Sequence, residues 1–199
     1  MEKAERREIF DRMASFWDRE VSVPPQERIV ELFNGLEVTD EMVIDIGTGT
    51  GVMIPFLLDL NPGLIWAVDI SPLMLRKVRE KYGVDEKIRT LLAEAEKLPL
   101  EDCSVQLVLC NGVYPHFSDK LLALREFYRV LKNGGLLIIN HFIGREQVNM
   151  IHSHSEAEII RSDLLETAAA VGKKCKHIGF SIVEESDRAN LFRIKAVKI

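Results

Sequence analysis

Three glycines at alternate positions follow a short apolar segment that contains one carboxylate. The segment reads VIDIGTGTG, with Asp45 two residues before Gly47 and further glycines at Gly49 and Gly51. Because glycine has no side chain, such a loop lets the backbone approach a bound ligand closely. A phosphate-binding P-loop needs Gly-Lys followed by Ser or Thr, and no such tripeptide follows the loop. The G-x-G-x-G spacing also differs from the G-x-G-x-x-G of nicotinamide- and flavin-binding folds.

Two aspartates indicate the charge and the sugar of the ligand. A carboxylate at Asp45 would repel a pyrophosphate and attract a cation. S-Adenosylmethionine has a sulfonium and an ammonium and no phosphate, so Asp45 favours it over a dinucleotide. Asp69 lies about 20 residues beyond the loop, at the end of the next predicted strand, where it can accept the ribose hydroxyls of either ligand. A helix-capping role for Asp69 is less favoured, because Ser71 supplies a capping hydroxyl.

The histidines indicate where an acceptor would bind. His116 follows the fourth predicted strand, His141 ends the fifth, and His152 and His154 come shortly afterwards. We therefore predict an acceptor pocket with His116 or His141 as a base and Arg145 as an anion holder. For His152 and His154, an exposed loop position is an equal alternative. No two of these histidines have the i, i+4 spacing of a helical metal pair, so no metal site is predicted.

The elements that must position these residues alternate along the chain. Apolar segments predict strands at 42–46, 64–69, 88–92, 105–110 and 136–141, and helical patterns lie at 52–60, 72–82 and 119–131. Such alternation indicates a parallel α/β sheet covered on both faces. After a helix near 156–171, two strand-like runs at 175–184 and 190–198 are joined by only a few residues. That connection is too short for a parallel crossover, so one of the two strands must run antiparallel.

The first 35 residues form a helical region ahead of a domain at 36–199. Apolar residues at helical spacing predict a helix over 2–18, and Pro24 and Pro25 precede a second helix at 26–34. Phe16 and Trp17 are interpreted as a lid over the site, with core packing or a homodimer contact as an equal alternative. The region is too short for a separate substrate domain, so the expected acceptor is a small molecule.

Four segments taken together carry a family resemblance. VIDIGTGTG, WAVDISPLML, AEAEKLPL and RVLKNGGLLII resemble, in order and spacing, the motifs of class I S-adenosylmethionine-dependent methyltransferases across roughly residues 40–140. The resemblance implies a single-domain, Rossmann-like, doubly wound seven-stranded sheet with one antiparallel strand near the C-terminus. It also implies S-adenosylmethionine as the cofactor. The residues implied to bind it are Asp45, Gly47, Thr48, Gly49, Asp69, Ile70, Glu94, Ala95 and Asn111.

Within that set, the resemblance implies that Glu94 accepts from the adenine amine and that Ile70 packs on the ring. Asn111 would line the cofactor and the transferred methyl group. One departure is Gln106, where the family often has an acidic residue, at a position usually away from the cofactor.

Composition limits the partners and the cellular setting. A net charge of −5 argues against nucleic-acid binding, which depends on neutralising phosphates. Three cysteines without metal-type spacing fit a reducing cytoplasm, and a charged N-terminus does not fit a signal peptide. No apolar stretch approaches the ~20 residues of a membrane span. The expected function is methyl transfer to a small molecule. The alternatives are a protein that binds S-adenosylmethionine without turnover, and a nicotinamide-dependent oxidoreductase.

Overall fold

A seven-stranded sheet forms the centre of the protein in the computed structural model, which describes residues 2–20 and 24–199. Positions 21–23 of the predicted N-terminal region lie outside the described residues. The strands are β1 (Met42–Ile46), β2 (Leu64–Asp69), β3 (Ile88–Leu92), β4 (Val105–Asn111), β5 (Leu131–His141), β6 (Phe180–Arg188) and β7 (Leu191–Lys198). Their order in the sheet is β3-β2-β1-β4-β5-β7-β6.

Strand direction confirms the predicted fold class. Strands β1 to β5 run parallel, whereas β7 is antiparallel to both β5 and β6. The order reverses between β1 and β4, and in open α/β sheets this reversal creates a crevice beyond the carboxyl ends of the strands. The glycine loop leaves β1 at that crevice.

The helices cover both faces of the sheet. They are α1 (Glu2–Met13), α2 (Trp17–Glu20), α3 (Gln26–Phe33), α4 (Ile54–Leu58), α5 (Pro72–Tyr82), α6 (Lys120–Val130), α7 (Arg145–Ser153), α8 (Glu158–Arg161) and α9 (Ala168–Ile178), with a 3₁₀ turn at Tyr114–His116. Side chains cap three of them at the N-terminus: Ser71 accepts from the amide of Met74, and Asp119 and Thr167 cap α6 and α9 in the same way. Among the described helices, none is long and apolar enough to cross a membrane.

The core lies on both sides of β4. Leu107 and Leu109 pack in one cluster with α3, whereas Val108 and Cys110 pack in the other with α6 and α9. Alternate side chains of a strand point to opposite faces, so this division follows from the pleat. Because both faces are covered, β4 is apolar along nearly its whole length.

The C-terminal part of the sequence prediction was wrong in two elements. The strand predicted at 175–184 begins instead at Phe180, because α9 continues through Cys175 until Gly179, whose φ of +124° ends the helix. The helix predicted at 156–171 is replaced by the single turn of α8 and by the start of α9. Helix α7 was not predicted.

Smaller differences concern element ends. The helix predicted at 52–60 is the shorter α4, because the glycine loop continues as turns to Met53. The helix predicted at 119–131 ends at Val130, and β5 starts at Leu131 rather than at residue 136. None of these shifts moves the strand ends that carry the site.

Candidate functional site

The glycine loop has a conformation that side chains would disturb. Gly47, Gly49 and Gly51 have φ angles of +64°, +55° and +85°, in the left-handed region that favours glycine. A Cβ at position 47 would lie only 2.2 Å from Cγ2 of Val113. The loop therefore needs glycine at position 47 both for its backbone angles and for its close contact with the segment after β4.

Asp45 and Asp69 hold the loop from two neighbouring strands. Thr48 donates its hydroxyl to Asp45 Oδ2 at 2.7 Å. The amide of Gly49 donates to Asp69 Oδ2 at 2.9 Å, and the amide of Ser71 donates to Asp69 Oδ1 at 2.8 Å. Each Asp69 oxygen thus accepts one backbone N–H and keeps acceptor capacity for a ligand.

Burial perturbs both carboxyl groups. Asp45 is 2% exposed, and this burial raises its pKa to about 7; the Thr48 hydrogen bond opposes the rise and the nearby Asp69 adds to it. Burial likewise raises the pKa of Asp69 to about 6, against the effect of its backbone hydrogen bonds. Among the described residues, no cation pairs with either group. The site therefore contains two buried acids whose charge a cationic ligand would stabilise.

One cavity of about 810 Å³ opens at this edge of the sheet. All nine residues predicted to bind the cofactor line it, and so do His116 and His141. The nine are Asp45, Gly47, Thr48, Gly49, Asp69, Ile70, Glu94, Ala95 and Asn111. The structure thus brings the two predicted sets of residues to a single chamber.

His116 is fixed by a carboxylate that the sequence did not indicate. Its Nδ1 lies 2.7 Å from Asp163 Oδ2, and the same carboxylate forms a buried ion pair with Arg6. The rings of His116 and His152 are 4.8 Å apart. Burial lowers the pKa of His116, although Asp163 acts in the opposite direction.

His141 lies in a more apolar setting. It is 5% exposed, and its Nε2 has no hydrogen-bond partner among the described residues. Burial is the main cause that lowers the pKa of His141 to about 3, and the neighbouring His116 and His152 lower it further. At neutral pH the ring is uncharged and offers one donor and one acceptor nitrogen.

A hydrogen-bonded chain fixes the orientation of Asn111. Arg193, 1% exposed, donates its Nε to Asn140 Oδ1 at 3.0 Å. Asn140 in turn donates its Nδ2 to Asn111 Oδ1 at 2.9 Å. Because arginine can only donate, the oxygen of Asn140 must face it, and the remaining amide of Asn111 is therefore a donor. The cavity thus receives an N–H₂ group from Asn111.

The N-terminal helices form one wall of the cavity. Lys3, Arg6 and Phe10 of α1 line it together with Trp17 of α2. Lys3 pairs with Glu94, and the ring nitrogen of Trp17 lies 3.3 Å from where a Cβ of Gly49 would be. Lys3, Arg6 and Phe10 were missed from the sequence, where α1 showed only an amphipathic pattern.

Phe16, the other residue predicted for the lid, is half-buried and does not line the cavity. Asp18 accepts from the hydroxyl of Thr50 and pairs with Lys81, which ties α2 to the glycine loop.

Most of the polar residues of the segment after β5 point away from the cavity. Arg145 pairs with Asp187, Asn149 hydrogen-bonds the backbone of Leu165, and His154 is exposed beyond the end of α7. His152 lines the cavity from α7, not from a loop. The predicted anion-holding role of Arg145 therefore has no support in the geometry. Within residues 2–20 and 24–199, no group of three or more His, Cys, Asp or Glu side chains is arranged to hold a metal ion.

Comparison with protein families shows which domain the central part of the chain resembles. A family model described as a methyltransferase domain matches residues 44–139, from β1 to β5. These residues, about half of the chain, are therefore similar to a methyltransferase domain. The similarity to a methyltransferase domain implies S-adenosylmethionine as the cofactor.

Individual methyltransferases match over different lengths. An uncharacterized methyltransferase-like protein of Schizosaccharomyces pombe is 40% identical over 108 residues, which is 50% of this chain and 40% of that protein. The demethylmenaquinone methyltransferase of Thermotoga maritima is 35% identical over 137 residues, 68% of this chain and 56% of the relative. The chain thus spans about half the length of these relatives. A SAM-dependent methyltransferase of Aquifex aeolicus has the same fold, with a TM-score of 0.70 at 20% identity over 99% of this chain and 98% of its own.

Proposed function

We propose that the protein transfers a methyl group from S-adenosylmethionine to a small molecule bound in the cavity. The observation that carries this proposal is that a single chamber joins the glycine loop and the two buried aspartates to the histidines after β4 and β5. Cofactor and acceptor would then lie side by side, as an in-line displacement requires.

The residues at the loop fit the chemistry of the cofactor. Asp45 has no cationic partner among the described residues, so a sulfonium or ammonium would compensate its charge. Asp69 retains acceptor capacity for the ribose hydroxyls. Glu94 is held by Lys3 and would be available to the adenine amine once Lys3 moves toward solvent. Ile70 and Ala95 would contribute apolar contacts to the ring.

The cofactor supplies a methyl group already activated by its positive sulfur, so the protein has mainly to align the reactants and exclude water. The cavity volume of about 810 Å³ is near the upper end for ligand pockets, which suits a nucleoside together with a second small molecule. Within the first 35 residues, α1 and Trp17 would act as a lid that closes this volume. The name of the Thermotoga maritima relative gives a small molecule as its acceptor, which supports a small acceptor here as well.

The two histidines would have different roles. His116 is the better base, because Asp163 partly offsets the effect of burial on its pKa. His141, with a pKa near 3, is a weak base and would orient the acceptor by hydrogen bonding.

Titration calorimetry separates the candidate functions. The proposal expects binding of S-adenosylmethionine and of its demethylated product, S-adenosylhomocysteine, and no binding of NADH. Radiolabelled methyl transfer into a panel of small phenols, thiols and amines then tests turnover. Binding of the cofactor with no transfer to any of them at any pH would favour a non-enzymatic binding protein. Binding of NADH alone would favour an oxidoreductase.

A further inference from the structure

Asp163 is a buried carboxylate between the N-terminal helix and the acceptor side of the cavity. It follows α8, is 5% exposed, and contacts two side chains through the same oxygen. One is the guanidinium of Arg6, and the other is Nδ1 of His116 at 2.7 Å. A buried charge without a partner is costly, so Arg6 allows the carboxylate to remain in place beside the histidine.

This contact selects one tautomer of His116. An ionised carboxylate can only accept a hydrogen bond, so Nδ1 must carry the proton that it donates to Asp163. In the neutral ring the lone pair is then on Nε2, the nitrogen left for a ligand in the cavity that His116 lines. The carboxylate also stabilises the positive ring that forms when Nε2 takes up a proton.

The surroundings of His116 indicate the kind of acceptor. The ring of Phe10 lies 5.2 Å from that of His116, and further apolar side chains line the same cavity: Phe142, Ile143, Val148 and Ile151. Among the described residues, Asp163 is the carboxylate that contacts His116, and Arg6 already pairs with it. An ammonium group on an acceptor would therefore find no free negative partner next to the base.

We propose that Asp163 positions His116 as the general base that deprotonates a neutral hydroxyl acceptor with an apolar body, such as a phenol. This inference rests on the proposed methyl transfer. As the acceptor oxygen forms its bond to the methyl carbon, the carbon–sulfur bond breaks and its electron pair stays on sulfur, leaving a neutral thioether. The hydroxyl proton moves to His116 Nε2 and then to water. His116 is the catalytic residue, and Asp163 is a positioning residue.

Nitrogen NMR of the imidazole rings tests the tautomer directly. Long-range ¹H–¹⁵N correlation spectra are recorded on protein labelled with ¹⁵N-histidine and saturated with S-adenosylhomocysteine, and loss of one signal set in His116→Gln assigns the ring. The proposal expects a neutral ring protonated at Nδ1 at pH 8. A ring protonated at Nε2 would overturn it. Because the wild-type protein is used, this result does not depend on how well any Asp163 variant folds.

Kinetics provide the second test. With a small phenol as the probe, His116→Gln should lower kcat by about 10²–10⁴-fold. Asp163→Asn should also lower kcat, by up to about 10⁴-fold, because an amide favours the other tautomer of His116. Glu158→Gln, an exposed acid on the neighbouring α8, is the matched control and should retain wild-type rates. Wild-type kcat in Asp163→Asn, or transfer to primary amines and to no phenol, would overturn the proposal.

The pH profile distinguishes positioning from a purely structural role. The groups that face His116 are Asp163, Arg6 of α1 and His152 of α7, with His141 of β5 nearby. The rate should rise with pH as His116 loses its proton. Asp163 raises the pKa of His116, so Asp163→Asn should shift this rise to lower pH. An unchanged midpoint would contradict the proposal. Binding of S-adenosylhomocysteine is measured in parallel. If the wild-type protein does not bind it, the proposed methyltransferase function itself is refuted. If the wild-type protein binds it but the pH midpoint is unchanged in Asp163→Asn, only the role of Asp163 is refuted.

Discussion

The affinity for S-adenosylmethionine should depend on pH through Asp45. Burial raises the pKa of this carboxyl group to about 7 in the free protein, so near neutral pH it is only partly ionised. A cationic ligand binds the ionised form better, and binding must therefore release the proton that Asp45 carries at lower pH. Asp69, with a pKa of about 6, contributes in the same direction.

The size of the effect follows from these two values. With a pKa of about 7, Asp45 is about 90% ionised at pH 8 and about 10% ionised at pH 6. Affinity should therefore fall about tenfold from pH 8 to pH 6, which corresponds to about 1.4 kcal/mol. Partial protonation of Asp69 adds a further factor of about two at pH 6.

Calorimetry in two buffers with different ionisation enthalpies gives both the affinity and the number of protons released. Asp45→Asn removes the titrating carboxyl group but keeps nearly the same side-chain shape. The affinity of this variant should therefore change with pH only by the factor of about two that Asp69 contributes. Asp59→Asn, at an exposed position after α4, is the control and should behave like wild type. An affinity that stays constant between pH 6 and 8, or proton uptake on binding, would refute the assignment of Asp45 as the partner of a cation.

The remaining predictions concern the loop, the N-terminal wall and the buried arginine. Gly47→Ala should lower the free energy of unfolding by about 2–5 kcal/mol, from the left-handed backbone and the clash with Val113. Gly134→Ala is the control, because Gly134 has a φ of +78° but no atom lies within 4 Å of an added Cβ, and it should lower the free energy of unfolding by about 1–2 kcal/mol. Both variants are measured by urea unfolding, and an equal loss in the two would contradict the close packing at Gly47. Trp17→Ala should speed dissociation of S-adenosylhomocysteine in stopped-flow experiments, and a wild-type rate would refute its role in the lid. Arg193→Met should weaken the binding of S-adenosylhomocysteine, because the orientation of Asn140 and therefore of Asn111 would no longer be fixed. An unchanged affinity would refute this role of Arg193.

The same two aspartates give the folded protein a pH-dependent stability. Their pKa values lie above the ordinary 3.8, so the folded state holds protons that the unfolded chain has released. The resulting stabilisation is complete below pH 3.8 and is lost as pH rises through about 6 and about 7. For Asp45 alone the loss is of the order of 4 kcal/mol, and a bound cationic cofactor should recover part of it.

The first half of the sheet could be predicted from the sequence because its signals are local. Strands β1, β2 and β3 have the predicted limits, and the hydroxyl of Ser71 caps α5 as predicted. Glycines after an apolar strand specify a loop by backbone freedom alone. Residues that follow parallel strands meet at one edge of a sheet, so Asp69 and His141 could be assigned to one site without knowledge of tertiary contacts. Asn111 was added to that site by the family resemblance.

The rest of the site depends on contacts between distant parts of the chain. Arg6 and Asp163 are 157 positions apart, and neither stands in a motif, so no local pattern indicated their pairing. Cys175 stands between Lys174 and Lys176, and the residue pattern there did not separate the end of a helix from the start of a strand. In the structure, the cap at Thr167 and the positive φ of Gly179 define this segment as a helix. Likewise, an amphipathic pattern showed that α1 has a buried face without showing that this face closes the cavity.

A crystal structure of the complex with S-adenosylhomocysteine tests the central claim most directly. The account predicts the ribose hydroxyls within hydrogen-bonding distance of Asp69, the amino-acid part of the ligand beside Asp45 and Gly47, and the sulfur facing the side of the cavity lined by His116 and His141. A ligand bound outside this cavity, or a dinucleotide phosphate at the glycine loop, would contradict it.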